Sequence, residues 1–363
     1  MLRRLLPPPI VLAGALLLTA CDAGAPSSSH PDATMPTPTW APTPSADPDG
    51  TAARLPEVPI GVALSTDLVA ISDKSAFVRH EPATSFTELT VTAKPRSVVA
   101  VPGGGFRAVV GSAVLDLPPG PTGTTPGSGP GGTGTTPGGT PAPGAGGTGI
   151  AAGRLWPLPG EGGAIAVPRS ADWTAVALPA QGDVIILSSG GQPVRTIHTG
   201  GRPAALAADD ERIAVIDAGQ SSLTVYDAAT GARQEALRAG DGAVSVAAVG
   251  APGGPSRFAV IDARDGELLI YDTGPLLLRQ RYPVPGGAWG VASDPRRRVL
   301  WVTVTQRNEV VGYDVSGGTP REVARHRTVR LPLAVAVDEA SGDLAVAGSD
   351  ATGAEGLVQR IAA

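Results

Sequence analysis

The sequence predicts an all-β fold, a seven-bladed β-propeller with four-stranded blades, on three observations. First, a short apolar strand ends at a turn and a second apolar strand follows it seven times: LVAIS and SAFVRH (68–80), FRAVV and SAVLDL (106–117), WTAVAL and DVIILS (173–188), RIAVID and LTVYD (212–227), RFAVID and LLIYD (257–272), LWVTV and EVVGYD (300–314), DLAVAG and GLVQRI (343–361). Second, centred on Ile71, Val109, Val176, Val215, Val260, Val302 and Val346, the pairs are 38, 67, 39, 45, 42 and 44 residues apart. A period near 40 with several short strands per unit is that of a propeller blade. Third, a small-residue strand precedes each pair (IGVAL, SVVAV, AIAV, AALAA, SVAAV, WGVAS, LAVAV), as crowding toward a central axis requires.

The chain opens on an address. Arg3 and Arg4 make a short positive region, and Ile10 to Leu18 is an apolar run too short to span a bilayer. Residues 1–20 are therefore expected to be a signal peptide. Leu18-Thr19-Ala20-Cys21 resembles the bacterial lipobox, and Cys21 is the only cysteine of the chain. The resemblance implies that Cys21 bears a diacylglyceryl thioether, becomes the mature N-terminus and anchors the protein to the membrane on the extracytoplasmic side; two acyl chains hold stably where one does not. The arginine pair leaves the Sec and twin-arginine routes both open. Residues 21–50 are rich in Pro, Ser, Thr and Ala, too poor in apolar surface to offset ordering entropy, and are expected to be a disordered tether.

The propeller is expected over residues 51–363. An outer strand follows the pair in six units, for example TELTV (87–91), VRTIH (194–198) and EVARH (322–326), but the seventh unit runs out of chain at Ala363. The missing strand stands at the other end, as ARLPEV (53–58). It is expected to pair with 356–361, closing the ring in the velcro manner and covering an open sheet edge. The 67-residue step contains residues 118–149, a Gly/Pro/Thr insertion between the third and fourth strands of blade two. Its composition forbids packing. Its literal GxGxxG (Gly127–Gly132) contains a proline and follows no strand-to-helix unit, so no dinucleotide site is implied.

The blade pattern of inner strand, Asp turn, apolar strand, Asp turn and Val-Tyr-Asp strand is clearest in 201–238 and 255–281, with Tyr226-Asp227, Tyr271-Asp272 and Tyr313-Asp314 repeating its ending. It resembles the YVTN-type and NHL-type propeller repeats. Asp217 and Asp262 stand where those repeats carry asparagine, and no Trp-Asp or Gly-His pair points to WD repeats. The resemblance implies a fold and leaves function open, because propellers host many activities.

Composition excludes several classes. A net charge of −5 lacks the basic signature of a nucleic-acid binder. One cysteine allows no internal disulfide and no cysteine-based zinc site. No HExxH, GxSxG or Cys–His arrangement occurs, and His30, His80, His198 and His326 are spread over the tether and different blades. No cofactor and no metal are implied. Loops between second and third strands should share a face with the connections between blades, where propellers gather their ligands. On that face the sequence places Arg202, Asp217, Gln220, Asp262, Arg264, Asp265, Trp289 and Arg307, from blades three to six, as candidate binding residues. The expectation is a monomeric, membrane-anchored binding or scaffolding module for a protein or cell-envelope partner. The alternative is an envelope enzyme on the same scaffold, a lactonase-like hydrolase or an oxidoreductase subunit.

Overall fold

The computed structural model describes residues 36–80, 83–119, 153–250 and 256–363. The signal segment, Cys21, tether residues 22–35 and insertion residues 120–149 lie outside the described residues.

Strand β1 (Thr51–Leu55) precedes blade one, which is β2 (Gly61–Leu64), β3 (Leu68–Ile71), β4 (Ala76–Arg79) and β5 (Thr87–Leu89). Blade two is β6 (Pro95–Ala100), β7 (Phe106–Val110), β8 (Ala113–Leu117) and β9 (Arg154–Pro157). Blade three is β10 (Ile165–Ala166), β11 (Trp173–Leu178), β12 (Asp183–Ser188) and β13 (Pro193–His198). Blade four is β14 (Pro203–Ala208), β15 (Arg212–Asp217), β16 (Ser222–Asp227) and β17 (Arg233–Arg238). Blade five is β18 (Ala243–Val249), β19 (Arg257–Asp262), β20 (Glu267–Asp272) and β21 (Leu277–Pro283). Blade six is β22 (Ala288–Asp294), β23 (Val299–Val304), β24 (Glu309–Asp314) and β25 (Arg321–Arg327), with a 3-10 turn at Thr305–Arg307. Blade seven is β26 (Arg330–Val337), β27 (Leu344–Ser349), β28 (Gly356–Ile361) and, as its outer strand, β1. Every sheet has four antiparallel strands, and the chain is an all-β seven-bladed propeller.

The closing strand pairs β28 in the register Thr51↔Arg360 to Leu55↔Gly356. It lies slightly N-terminal of the 53–58 expected from the sequence. Pro56 and Pro59 offer no N–H to a ladder, so pairing stops at Leu55. Leu55 is buried, while Val58 lies beyond the strand and is half-buried.

The core is a set of seams between adjacent blades. In β15, Ile213 and Val215 pack with Ala177, Val184 and Ile186 of blade three, while Ala214 and Ile216 pack with Phe258, Val260 and Tyr271 of blade five. A strand buried on both faces reads as a continuous apolar run, and this is why the second strands show no alternation. The last seam joins Leu55, Ala345, Ala347 and Val358 of blade seven to Val62, Leu64, Leu68 and Phe77 of blade one.

The recurring arginines and aspartates pin strand ends. Arg257 of β19 pairs with its cross-strand partner Asp272 (2.7 Å), and Arg107 of β7 pairs with Asp116 (3.1 Å). The tyrosines of the Tyr-Asp endings enter the seams. The Tyr271 hydroxyl donates to the Arg238 carbonyl (2.8 Å), and burial first, then the Asp262 charge, pushes its pKa up to about 12.

The inner strands β2, β6, β10, β14, β18, β22 and β26 are sheet edges and line an axial channel. What is called here the upper face carries the connections between blades and the turns between second and third strands. The lower face carries the remaining turns.

Candidate ligand-binding face

Asp217 and Asp262 end the second strands of blades four and five, and both carboxylates are engaged by backbone. Asp217 Oδ2 accepts the Arg202 N–H (2.8 Å), and Oδ1 accepts those of Gly219 (2.7 Å) and Gln220 (2.9 Å). Asp262 is fully buried; Oδ2 accepts the Asp241 N–H (2.9 Å) and Oδ1 those of Gly242 and Arg264 (3.0 Å each). Each carboxylate thus ties the connection entering its blade to its own turn, the role aspartate commonly plays in turns. Gly201 and Gly240 permit this approach: a Cβ there would sit 1.6 Å from Asp217 Oδ2 and 1.8 Å from Asp262 Oδ2. In blade six Thr305 ties the corresponding turn by donating to the Gly287 carbonyl (3.0 Å).

Asp262, Asp265 and Glu267 bring ligand-type oxygens within 4.8 Å of one another. Partial desolvation first, and the Asp262 charge second, raise the Asp265 carboxyl above its ordinary value. Arg281 offsets part of this charge from β21, at 2.6 Å from Glu267 and 4.0 Å from Asp265. With the Asp262 oxygens held by amides and a guanidinium in place, the trio is arranged as an ion-pair cluster and fits a cation poorly.

The upper mouth of the channel is a cavity of about 400 Å³ lined by Ile60, Arg96, Ser97, Ser245, Trp289 and Leu333 among others. Trp289 is half-buried there, its carbonyl accepting from Ser245 Oγ (2.7 Å). Arg96 pairs with Glu161 on the rim (2.5 Å), and that hydrogen bond and charge lower the Glu161 pKa. Of the eight residues predicted from sequence, Trp289 lines this cavity. Arg202, Gln220, Arg264, Asp265 and Arg307 are exposed on turns and connections of the same face, and Asp217 and Asp262 lie beneath as staples.

The lower mouth is larger, about 640 Å³, and its wall is Ala, Val, Leu and Ile with Ser65, Arg169, Ser293, Arg296, Asp338 and Glu339 at the rim. Arg169 of blade three reaches across it: Nε bonds Glu339 of blade seven (3.0 Å) and Nη1 bonds the Gly250 carbonyl of blade five (2.6 Å). This bridge spans the channel end, so the upper mouth is the less obstructed entrance.

His80, His198 and His326 stand in blades one, three and six, each beside an aspartate: Asp67 (2.9 Å), Asp183 (2.8 Å) and Asp49 (3.7 Å). The structure does not bring them together.

Sequence reasoning missed one participant on the upper face. Residues 36–50, assigned to the tether, lie on the ring. Pro36 packs against Gly242 of blade five, where a Cβ would come within 2.7 Å of it. The Trp40 ring covers the Arg330 guanidinium (4.8 Å to the centroid), and Arg330 Nε and Nη2 donate to the Ala41 carbonyl (3.0 and 2.9 Å). Asn308 Nδ2 donates to the Pro42 carbonyl (3.1 Å). Asp49 takes Arg327 in a fork (3.1 and 3.0 Å) and accepts its backbone N–H (3.0 Å). Burial alone would raise the Asp49 pKa, but these Arg327 bonds and charge outweigh it and hold the carboxyl below its ordinary value. A tryptophan inside a Pro/Thr run was the available signal.

No protein-family model matches the chain, and no curated protein matches it. Solved structures do. A chain in the structure described as "Crystal Structure of Mitotic Checkpoint Complex" is similar at a TM-score of 0.66 and 11% identity, over 91% of this chain and 98% of that one. A chain of Kuenenia stuttgartiensis hydrazine synthase is similar at 0.60 and 16% identity, over 85% and 96%. At such identities the likeness is one of fold.

Proposed function

We propose that the protein is a membrane-anchored, extracytoplasmic binding or scaffolding module whose partner docks on the upper face, over the connection leaving blade three and over blades four to six, around the mouth lined by Trp289. The observation that carries this reading is the character of that face. Its candidate carboxylates Asp217 and Asp262 are occupied with backbone amides, whereas Trp289 lines the concave mouth and Arg202, Arg264 and Arg307 are exposed on turns and connections of the same face. Tryptophan and arginine are the side chains that most often anchor protein interfaces. The bore beneath is built largely from small aliphatic residues, with Arg96 at the upper mouth and Arg169, Arg296, Asp338 and Glu339 at the lower rim. Anchoring is carried by the lipobox-like sequence at Cys21.

Capture from intact cell envelopes by the immobilised protein tests the reading. Arg264→Ala with Arg307→Ala, and separately Trp289→Ala, are expected to reduce partner retention at least tenfold with the ring still folded. Normal retention by both, with loss on Arg296→Ala at the lower rim, would move the site to the other face. Cys21→Ser is expected to shift the protein from the membrane to the soluble fraction; a variant that is processed and fractionates like the parent would remove the anchor.

A further inference from the structure

We propose that the upper face over blades five to seven is a receptor for extended, proline-rich peptide, and that residues Pro36–Pro44 of this chain occupy it as an internal ligand. The site deepens the docking role proposed above by naming a ligand class, and it adds Asn308 and Arg330 to the binding residues.

The segment reads PTPTWAPTP. Proline fixes its own φ and biases the preceding residue toward extended backbone. Pro36, Pro38, Pro42 and Pro44 therefore restrict Thr37, Ala41 and Thr43 as well, and little entropy is left to lose on docking. Such a chain presents carbonyls with few N–H groups beside them. The groups that meet it here are donors. The Arg330 guanidinium aims Nε and Nη2 at one carbonyl, Ala41, while Nη1 holds the Ala351 carbonyl of blade seven (2.6 Å). Asn308 gives Nδ2 to the next carbonyl, Pro42, while its Oδ1 accepts the Leu331 N–H (3.0 Å). Two successive carbonyls are thus met by two donor side chains, and Trp40, the residue just before them, stacks on the same guanidinium.

Asn308 and Arg330 are each also held by a bond internal to the ring, to the Leu331 N–H and the Ala351 carbonyl. Asn308 is 6% exposed and left-handed (φ 53°), with Leu331 also at positive φ (51°). Left-handed backbone is tolerated by asparagine better than by most residues, and this is the only asparagine in the chain. Its amide is oriented by the Leu331 N–H, a bond internal to the ring. Ala41, 3% exposed, fits beneath the stacked tryptophan.

Because the segment is joined to the ring through Asp49, it meets the receptor at an effective concentration on the order of millimolar. A proline-rich segment of an envelope partner must outcompete it, so the site is self-masked and opens when the segment is displaced.

The test uses the full chain and a fluorescent synthetic peptide of residues 34–46, followed by anisotropy. The proteins are the parent, a variant with 36–44 replaced by Gly-Ser of equal length, and that variant with Arg330→Ala or Arg330→Lys. The unmasked variant is expected to bind the peptide saturably and at least tenfold more tightly than the parent. Arg330→Ala should abolish the gain, and Arg330→Lys, which keeps charge but loses the fork, should lose most of it. A peptide with its prolines replaced by alanine should bind more weakly. Thermal melts report folding of each variant; should Arg330→Ala unfold, Arg330→Lys and the alanine peptide carry the decision. No saturable binding to the unmasked variant, or binding indifferent to Arg330 and to the prolines, overturns the proposal. Neither outcome bears on envelope capture through Trp289, Arg264 and Arg307, so the two readings fail separately.

Discussion

Removing the Leu55 side chain should open the ring at its seam. Leu55 is 2% exposed and lies between Val358 of blade seven and Val62, Leu64 and Phe77 of blade one. Leu55→Ala deletes apolar atoms from a packed seam, a change that costs about 2–5 kcal/mol. Arg54 next to it projects to solvent with its side chain 72% exposed and pairs with Glu355, itself half exposed. Arg54→Ala should cost less than about 1 kcal/mol, because surface ion pairs are screened and entropically expensive. In a domain of this size about 3 kcal/mol corresponds to a melting shift on the order of 5–10 °C. Urea titration and size-exclusion chromatography read both effects: Leu55→Ala should unfold at markedly lower urea and self-associate, since an unpaired β28 is an exposed edge. The register is checked by crosslinking. Ala53 stands opposite Val358, so Ala53→Cys with Val358→Cys should join under oxidation. Ala52→Cys with Val358→Cys should not, because successive side chains point to opposite faces. Equal stability of Leu55→Ala and Arg54→Ala, or crosslinking of the 52/358 pair alone, would refute the closure and its register.

Asp262→Asn should lower the stability of blade five by roughly 2 kcal/mol or more, since an amide nitrogen would face buried N–H donors, and Asp217→Asn, half-buried, should cost less in the same urea assay. Replacing 118–149 with a short Gly-Ser turn should leave the melting temperature within a few degrees, because β8 and β9 stay in register from Asp116↔Arg154 and loop length enters closure entropy only logarithmically; a large fall would show that the insertion supports the ring. Acid should weaken blade seven: Asp49 with Arg327, and Asp343 with Arg360 (2.8 Å), have carboxyl pKa values held below the ordinary 3.8 despite burial, so their contribution is complete above that value and is lost as pH falls through the lowered folded values. Urea midpoints should change little between pH 7 and 5 on their account and drop toward about pH 3, and Asp49→Asn with Asp343→Asn should flatten that drop.

The ring was legible because its physics repeats. Second strands are mostly buried on both faces, so they read as apolar runs, and Ile213 through Ile216 announce a strand without reference to any neighbour. Inner strands betray themselves by small residues. The closing strand is a single copy and was found by counting; its bounds slipped because Val58 has a strand-like side chain, whereas Pro56 had already ended the ladder. Asp227, which closes one of the Tyr-Asp endings, begins a turn in which its Oδ1 accepts both the Thr230 hydroxyl and N–H (2.7 Å each), bonds that lower its pKa.

On the upper face, the placement of side chains on turns was legible and their bonding was not. Spacing places Asp217 and Asp262 at turn starts, but only the structure shows that their oxygens are consumed within the fold. The groups that read the proline-rich segment were invisible for a different reason. Arg330 meets Ala41 across 289 residues, and Asn308 meets Pro42 across 266. Neither partner belongs to a repeat, so no period points from one to the other. A Pro/Thr run has too little apolar surface to fold alone, and what its carbonyls meet on the ring is two polar side chains, Arg330 and Asn308. The buried Gln359 makes the same point. It lies in β28, where a repeat-based reading expects an apolar residue. Its Oε1 accepts the Val329 N–H (2.9 Å), and its Nε2 donates to the Arg327 carbonyl (2.9 Å) and to that of Asp49. One amide therefore joins the exit of the segment, the connection between blades six and seven, and the closing blade.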